Sequence, residues 1–305
     1  MPTTIPCYPN DVPITLDLQP HLNPLFFQLP DGISEYTFAN LYLFRNRYAY
    51  RLSRSPAGAL IISGTRDGAR FFMTPAAIPE KEVTLSLFET HDYWKGIPES
   101  ALAACKDDLA RWGVSVSEDR DNFDYLYLRT DLADLAGKKY HKKRNLVSAF
   151  LNAYTYEVRP LGPENRAHAL RVLERWRHDK AEDGDYLASR EALEQCASLG
   201  MQGALYYVNG RPAAWCLGEP LAQGRAFAVH FEKGIDDYKG IYQFMNQNFA
   251  SSLPDHIIHI NREQDLGDEG LRQAKMTYRP VGFVKKYSAR PQPPAVLAWP
   301  PVVSK

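Results

Sequence analysis

A run of cations gives the first chemical clue. The stretch DLAGKKYHKKRNLVSAF (134–150) gathers Lys138, Lys139, Lys142, Lys143 and Arg144, with His141 among them and Asn145 next, into about two helical turns. Ammonium and guanidinium groups at a helix start converge with its backbone N–H groups on an anion, phosphate above all. On a helical wheel Tyr140, Leu146, Val147, Phe150 and Leu151 share one arc. Stepping back by fours from Val147 lands on Lys143 and Lys139. Two lysines in core register must be buried at heavy cost or face a cleft. Positive charge at a helix N-terminus also opposes the macrodipole, a penalty that a bound anion removes. The competing reading is a solvated helix end whose lysines reach back to water.

A second dense stretch is HIIHINREQDLGDEGLRQAKMTYRPVGFVKKY (256–287). HIIHI reads as a buried strand, NREQDLGD as a polar turn, DEGLRQAKMTY as a helix stopped by Pro280, and GFVKKY as one more strand. Leu271, Lys275 and Tyr278 recur at i, i+4 and i+7, so they share a face. Glu263 and Asp265 sit in the turn above, in reach of Arg262, Arg272 and Lys275. Either an ion-pair network fixes the connection, or the cluster orients a substrate. In the second case Tyr278 is a proton donor or positioning hydroxyl, Lys275 or a backbone N–H stabilises an oxyanion, and Asp265 and Arg272 are substrate contacts. In RAFAVHFEK (225–233), alternation places Phe227, Val229 and Phe231 on one face, His230 and Glu232 on the other. A carboxylate at a strand end inside a cleft suits removal of a proton from an amine, so Glu232 is the expected base and His230 its neighbour. A structural Glu and a hydrogen-bonded scaffold His are the alternatives.

Secondary elements must bring these groups together. GALIISGTRDGARFFMTP (58–75) and GALYYVNGRPAAWCLGEP (203–220) both read as hairpins, with Asp67-Gly68 and Asn209-Gly210 at their turns. A helix precedes each: SEYTFANLYLF (34–44), with Ser34 as N-cap, and AHALRVLERWRHDK (167–180). Strands FDYLYLR (123–129) and RAFAVHF (225–231) follow. The pattern is that of two similar α+β halves, 1–155 (including the basic helix 137–152) and 156–290, with a proline-rich tail over 291–305.

Composition bounds the function. The 305 residues carry 36 basic and 36 acidic side chains, and this zero balance argues against a general nucleic-acid coat while leaving room for a local anion site. Four cysteines without a C-x-x-C pair suggest reduced thiols rather than a metal site, and no metal ligand set stands out. The first residues lack the basic and apolar regions of a signal peptide, and no apolar run reaches the roughly 20 residues a spanning helix needs. A cytoplasmic protein is expected, and the oligomeric state is open.

The order hairpin, strand, polar turn, helix, with a helix ending in Tyr278-Arg-Pro-Val-Gly-Phe283, resembles the N-acetyltransferase (GNAT) fold. Its occurrence twice resembles the tandem-GNAT proteins: Fem-type peptidoglycan aminoacyltransferases and the C-terminal domain of phosphatidylglycerol lysyltransferase. SEYTFANLY (34–42), GKKYHKKRN (137–145), FEKGIDDYKGIYQFMN (231–246) and NREQDLGDEGLRQAK (261–275) carry the similarity. It implies tandem GNAT-like domains with mixed sheets flanked by helices. It also implies aminoacyl transfer from aminoacyl-tRNA to an amine or lipid hydroxyl, with the lysine-rich helix meeting phosphate of tRNA or lipid. The lipid-modifying relatives often carry a membrane domain that is absent here, which weakens the lipid acceptor and leaves only peripheral lipid contact. Acyl-CoA is the disfavoured donor: in the place of the GNAT pyrophosphate loop, Asp237-Tyr-Lys-Gly240-Ile-Tyr242, only Gly240 fits, and Asp236 and Asp237 would repel the ligand. A phosphate-binding protein without catalysis is the third reading.

Overall fold

A computed structural model describes residues 4–178 and 184–292. In chain order its strands are β1 (Val12–Pro13), β2 (Arg51–Arg54), β3 (Leu60–Arg66), β4 (Ala69–Met73), β5 (Tyr93–Pro98), β6 (Val114–Glu118) and β7 (Asp124–Leu128). They continue with β8 (Tyr156–Pro160), β9 (Gln202–Val208), β10 (Arg211–Leu221), β11 (Ala226–Gly234), β12 (His259–Asn261), β13 (Gly282–Val284) and β14 (Lys286–Pro291). The helices are α1 (Gln19–Phe27), α2 (Phe38–Tyr48), α3 (Lys81–Thr90), α4 (Glu99–Arg111) and α5 (Arg129–Asp134). After them come α6 (His141–Ala153), α7 (Arg166–His178), α8 (Tyr186–Gln195), α9 (Ile241–Ser252) and α10 (Glu269–Met276).

Both expected hairpins form. Asp67 and Gly68 (φ 51° and 81°) and Asn209 and Gly210 (φ 50° and 76°) take the paired left-handed turn that matches strand twist. Two seven-stranded mixed sheets result, in the orders β1-β2-β3-β4-β5-β14-β6 and β13-β7-β12-β11-β10-β9-β8. They exchange strands across the residue-155 boundary: β7 comes from the first half of the chain but joins the second sheet, and β14 returns to the first. GFVKKY is therefore not one strand. Gly282–Val284 pairs with β7, and Lys286 opens β14 in the other sheet.

The largest core lies between the sheets. Leu52, Ile62 and Phe71 of the first and Leu205, Trp215 and Phe231 of the second close on α1, α2, α7 and α8. A second core sits under α5, α6 and α9 on the far face of the second sheet, and a third under α3 and α4. Helix α2 starts at Phe38 with Thr37 as its cap, not at Ser34. Ser34 is drawn away because its N–H (2.8 Å) and hydroxyl (3.0 Å) both donate to buried Asp124. Asp124 opens β7 and also binds Lys286 Nζ (2.6 Å), which in turn meets Glu35, so charges from both sheets join in one buried cluster. The four cysteines are free. Among the described residues no helix is long and apolar enough to cross a membrane. Of the proline-rich tail, all but residues 291 and 292 lies outside the described residues.

Candidate active site

Strand β11 pairs with β12 in parallel only from Ala226 to Ala228, then runs on to Gly234 without that neighbour. The sheet splays there, and the first residue past β12 fills the opening. Arg262 forms an ion pair with Glu232 of β11, whose Oε1 also accepts from Asn246 Nδ2 of α9 at 2.8 Å. The Arg262 guanidinium lies 5.1 Å from the centre of the Tyr278 ring. Against the same ring, 3.9 Å from its centre, is the Lys143 ammonium. Lys143, Tyr278, Arg262, Glu232 and Asn246 thus form one continuous line of contacts from α6 to α9. Burial raises the Tyr278 hydroxyl above the ordinary tyrosine range, so it holds its proton. Burial, aided by Arg262, lowers the Lys143 ammonium.

A bulge in β10–β11 decides which groups share this face. Leu217 pairs with Phe231 but Gly218 pairs with Val229, so His230 is the extra residue. The expected alternation is corrected accordingly: Phe231 turns to the inter-sheet core, while Phe227 and Val229 stay on the face that carries Glu232. His230 points away from Glu232. Its Nδ1 meets Glu263 Oε1 at 2.6 Å and its Nε2 meets Glu219 Oε1 at 3.1 Å. Burial opposes its charge, but the two carboxylates prevail and hold the imidazole up at about 10. It is a fixed cation at neutral pH, not a base.

The cation run opens a groove of about 840 Å³ between the start of α6 and α10. Lys138, Lys139, His141, Lys142, Lys143 and Arg279 line it with Leu146, Gln273, Met276 and Thr277, and no carboxylate does. Lys143 borders both this groove and Tyr278, whose ring is joined through Arg262 to Glu232. Lys139 does not turn inward as the wheel suggests. Residues Lys138–Tyr140 form a 3-10 turn before α6, with about three residues per turn, so the four-residue step fails and Tyr140 takes the buried position. Lys139 instead pairs with Asp131 at 2.8 Å near solvent. Arg144 donates to the carbonyl oxygens of Leu135 and Gly137, closing the end of α5, and Asn145 is exposed outside the groove lining.

The other expected residues are built into the scaffold. The Lys275 ammonium donates to three carbonyl oxygens, of Arg262 (2.6 Å), Glu263 (3.1 Å) and Gln264, and so staples the loop after β12; burial pushes it down to about 8. An oxyanion would have to displace one of those bonds. Asp265 is fully buried and accepts from Arg272 (2.8 Å), Tyr125 (2.6 Å) and the Gly267 N–H (2.9 Å). Burial would raise it, yet these donors hold it well below the usual carboxylate range. Arg272 is divided between Asp265 and Asp121 (2.7 Å). Asp265 and Arg272 are thus ion-paired to each other, and Lys275 is bound to backbone carbonyl oxygens. Arg262 and Asn246, both in contact with Glu232, come from separate elements and carried no spacing signal. Arg279, held at φ 55° before Pro280, is a further cation of the groove.

The place where a GNAT protein would cradle a pyrophosphate is filled. Gly240 caps α9 at φ 88°, and a Cβ there would lie 2.3 Å from the Leu146 carbonyl oxygen of α6. Tyr242 Oη accepts from the Gly234 N–H and donates to its carbonyl, each at 3.1 Å, sealing the end of β11. Gly240→Ala should cost about 2 kcal/mol or more, through backbone contact plus left-handed strain. Gly68→Ala, whose Cβ meets nothing within 4 Å, bears the strain alone. Denaturant midpoints should rank the two in that order, and equal losses would mean α6 does not press on α9.

Comparison with known proteins places this geometry. A sequence profile described as phosphatidylglycerol lysyltransferase, C-terminal, matches residues 26–290. An uncharacterized protein of Mycoplasmoides gallisepticum is 24% identical over 181 residues; the match covers 56% of this chain and 56% of that protein, so the chain spans about half the length of this relative. A conserved protein of unknown function from Bacteroides thetaiotaomicron has a TM-score of 0.83 at 30% identity, covering 92% of this chain and 99% of that one. L-PGS from Bacillus licheniformis has a TM-score of 0.56 at 16% identity, covering 88% and 94%, a likeness of fold. The architecture is the expected one of mixed sheets flanked by helices, and the chain belongs to the phosphatidylglycerol lysyltransferase C-terminal family.

Proposed function

We propose that the protein is an aminoacyltransferase that takes its acyl group from aminoacyl-tRNA and delivers it to an amine or a lipid hydroxyl. The observation that carries this reading is the groove between α6 and α10, lined by five lysine and arginine side chains and no carboxylate, and joined through Lys143 and Tyr278 to Glu232. Lys138, Lys142 and Arg279 have no side-chain partner among the described residues, so their charge is available to a phosphate backbone. The acceptor atom forms a bond to the ester carbonyl carbon and the bond to the ribose oxygen breaks. Glu232 receives the acceptor's proton, directly or through water, and Tyr278 supplies one to the departing oxygen. Arg262 pairs with Glu232 and aims it until substrate arrives, and Lys143 offers positive charge to the developing oxyanion in place of Lys275.

Acyl-CoA is the weaker donor because α6 occupies the start of α9. Transfer from charged tRNA to a panel of amines and phosphatidylglycerol vesicles tests the reading. Glu232→Gln and Lys143→Ala should each slow transfer by about 10²-fold or more. Unchanged rates in both would reject the roles, and phosphate binding without any turnover would favour the non-catalytic alternative.

A further inference from the structure

On the opposite face of the β10–β11 pair from Glu232 lies a separate cleft of about 380 Å³, between α1, the start of α2 and β10. Its walls are mainly apolar, with Phe26, Phe27, Phe38, Leu199 and Leu221 among them, and Asn23, Gln28 and Thr37 add neutral polar groups. One charged side chain reaches it, Glu219, which is about nine-tenths buried. Glu219 Oε1 is taken by His230, while Oε2 has no partner among the described residues. Both nitrogens of His230 face carboxylates, Nε2 that of Glu219 and Nδ1 that of Glu263. Glu263, the second carboxylate, has Asn40 Nδ2 at 3.3 Å and Lys275 bound to its backbone. No lysine or arginine lines the cleft, so Glu219 Oε2 meets no cation there.

We propose that this cleft binds a primary amine with an apolar body, its hydrocarbon packed among the phenylalanines and its ammonium on Glu219 Oε2. The arrangement supplies what such a ligand needs: apolar walls for the body, one carboxylate for the head, and a buried imidazolium that fixes that carboxylate in place. The site is independent of the aminoacyl-transfer reading, since it lies across the sheet from Glu232 and its occupancy is measured by binding alone.

The test is calorimetric or NMR titration of the intact protein with 2-phenylethylammonium, 2-phenylethanol and phenylacetate. The ammonium should bind about tenfold or more tighter than the alcohol, and the carboxylate should not bind. Glu219→Gln should erase the preference for the ammonium. Because that change also touches His230, Phe27→Ala provides a second arm: Phe27 is 40% exposed at the rim, and its loss should weaken ammonium binding severalfold without unfolding the chain. Equal binding of ammonium and alcohol, no binding of the ammonium, or wild-type ammonium affinity in Phe27→Ala would each overturn the proposal.

Discussion

Replacing Lys286 with alanine should lower folding stability by about 3–5 kcal/mol, the loss expected when one member of a buried charge cluster is removed and its partners stay behind. Lys286 is fully buried at the first residue of β14, with its ammonium 2.6 Å from Asp124 and in contact with Glu35. Burial alone would lower its pKa, but the two carboxylates reverse that and keep it charged. Lys95 stands 3.8 Å from Glu35, and Asn261 donates to Asp124 at 2.9 Å, so β5 and β14 of one sheet and β7 and β12 of the other each have a group in the cluster. Without Lys286, the buried carboxylates of Asp124 and Glu35 lose the cation they share. Urea unfolding should show the midpoint fall, and addition of Asp124→Asn to the variant should restore part of the loss, because it removes one of the stranded charges. A loss below about 1 kcal/mol would mean that water reaches the cluster and that the strand exchange is held by apolar packing alone.

Lys286 also shows where sequence reasoning stops. In the sequence it is one of two lysines in GFVKKY, and nothing distinguishes it from Lys285, which is half exposed and pairs at 3.4 Å with Glu118. Local signals were legible wherever the physics is local. The two left-handed turns and the helix expected over 167–180, described as Arg166–His178 with residues 179 and 180 outside the described residues, follow from neighbouring residues. The groove was legible too, because its lysines are adjacent in the chain, although only Lys143 keeps the inward register. The lost parts depend on distant partners. Ser34 leaves its cap for Asp124, ninety positions away. A bulge set by strand pairing sends His230 to Glu219 and Glu263, and the Glu232 site is completed by Arg262 and Asn246 from other elements. Spacing along the chain carries no trace of any of these.

The second large effect is expected at the groove. Lys138 and Lys142 are exposed and have no partner among the described residues, so a Lys138→Glu/Lys142→Glu double variant should fold as the parent does. Each lysine that meets a backbone phosphate contributes through release of a counterion, and for a single-stranded end the slope of log K against log salt changes by about 0.7 per contact. Reversing two such charges should weaken tRNA binding by about 10²-fold at low salt, since two attractions are lost and two repulsions added. The direct measurement is the affinity of the wild type and the double variant for tRNA across a salt series. Wild-type binding should fall with salt, and the slope should be shallower by about 1.4 in the variant. Equal affinities with parallel slopes would show that the nucleic acid lies elsewhere and that the groove does not hold the donor.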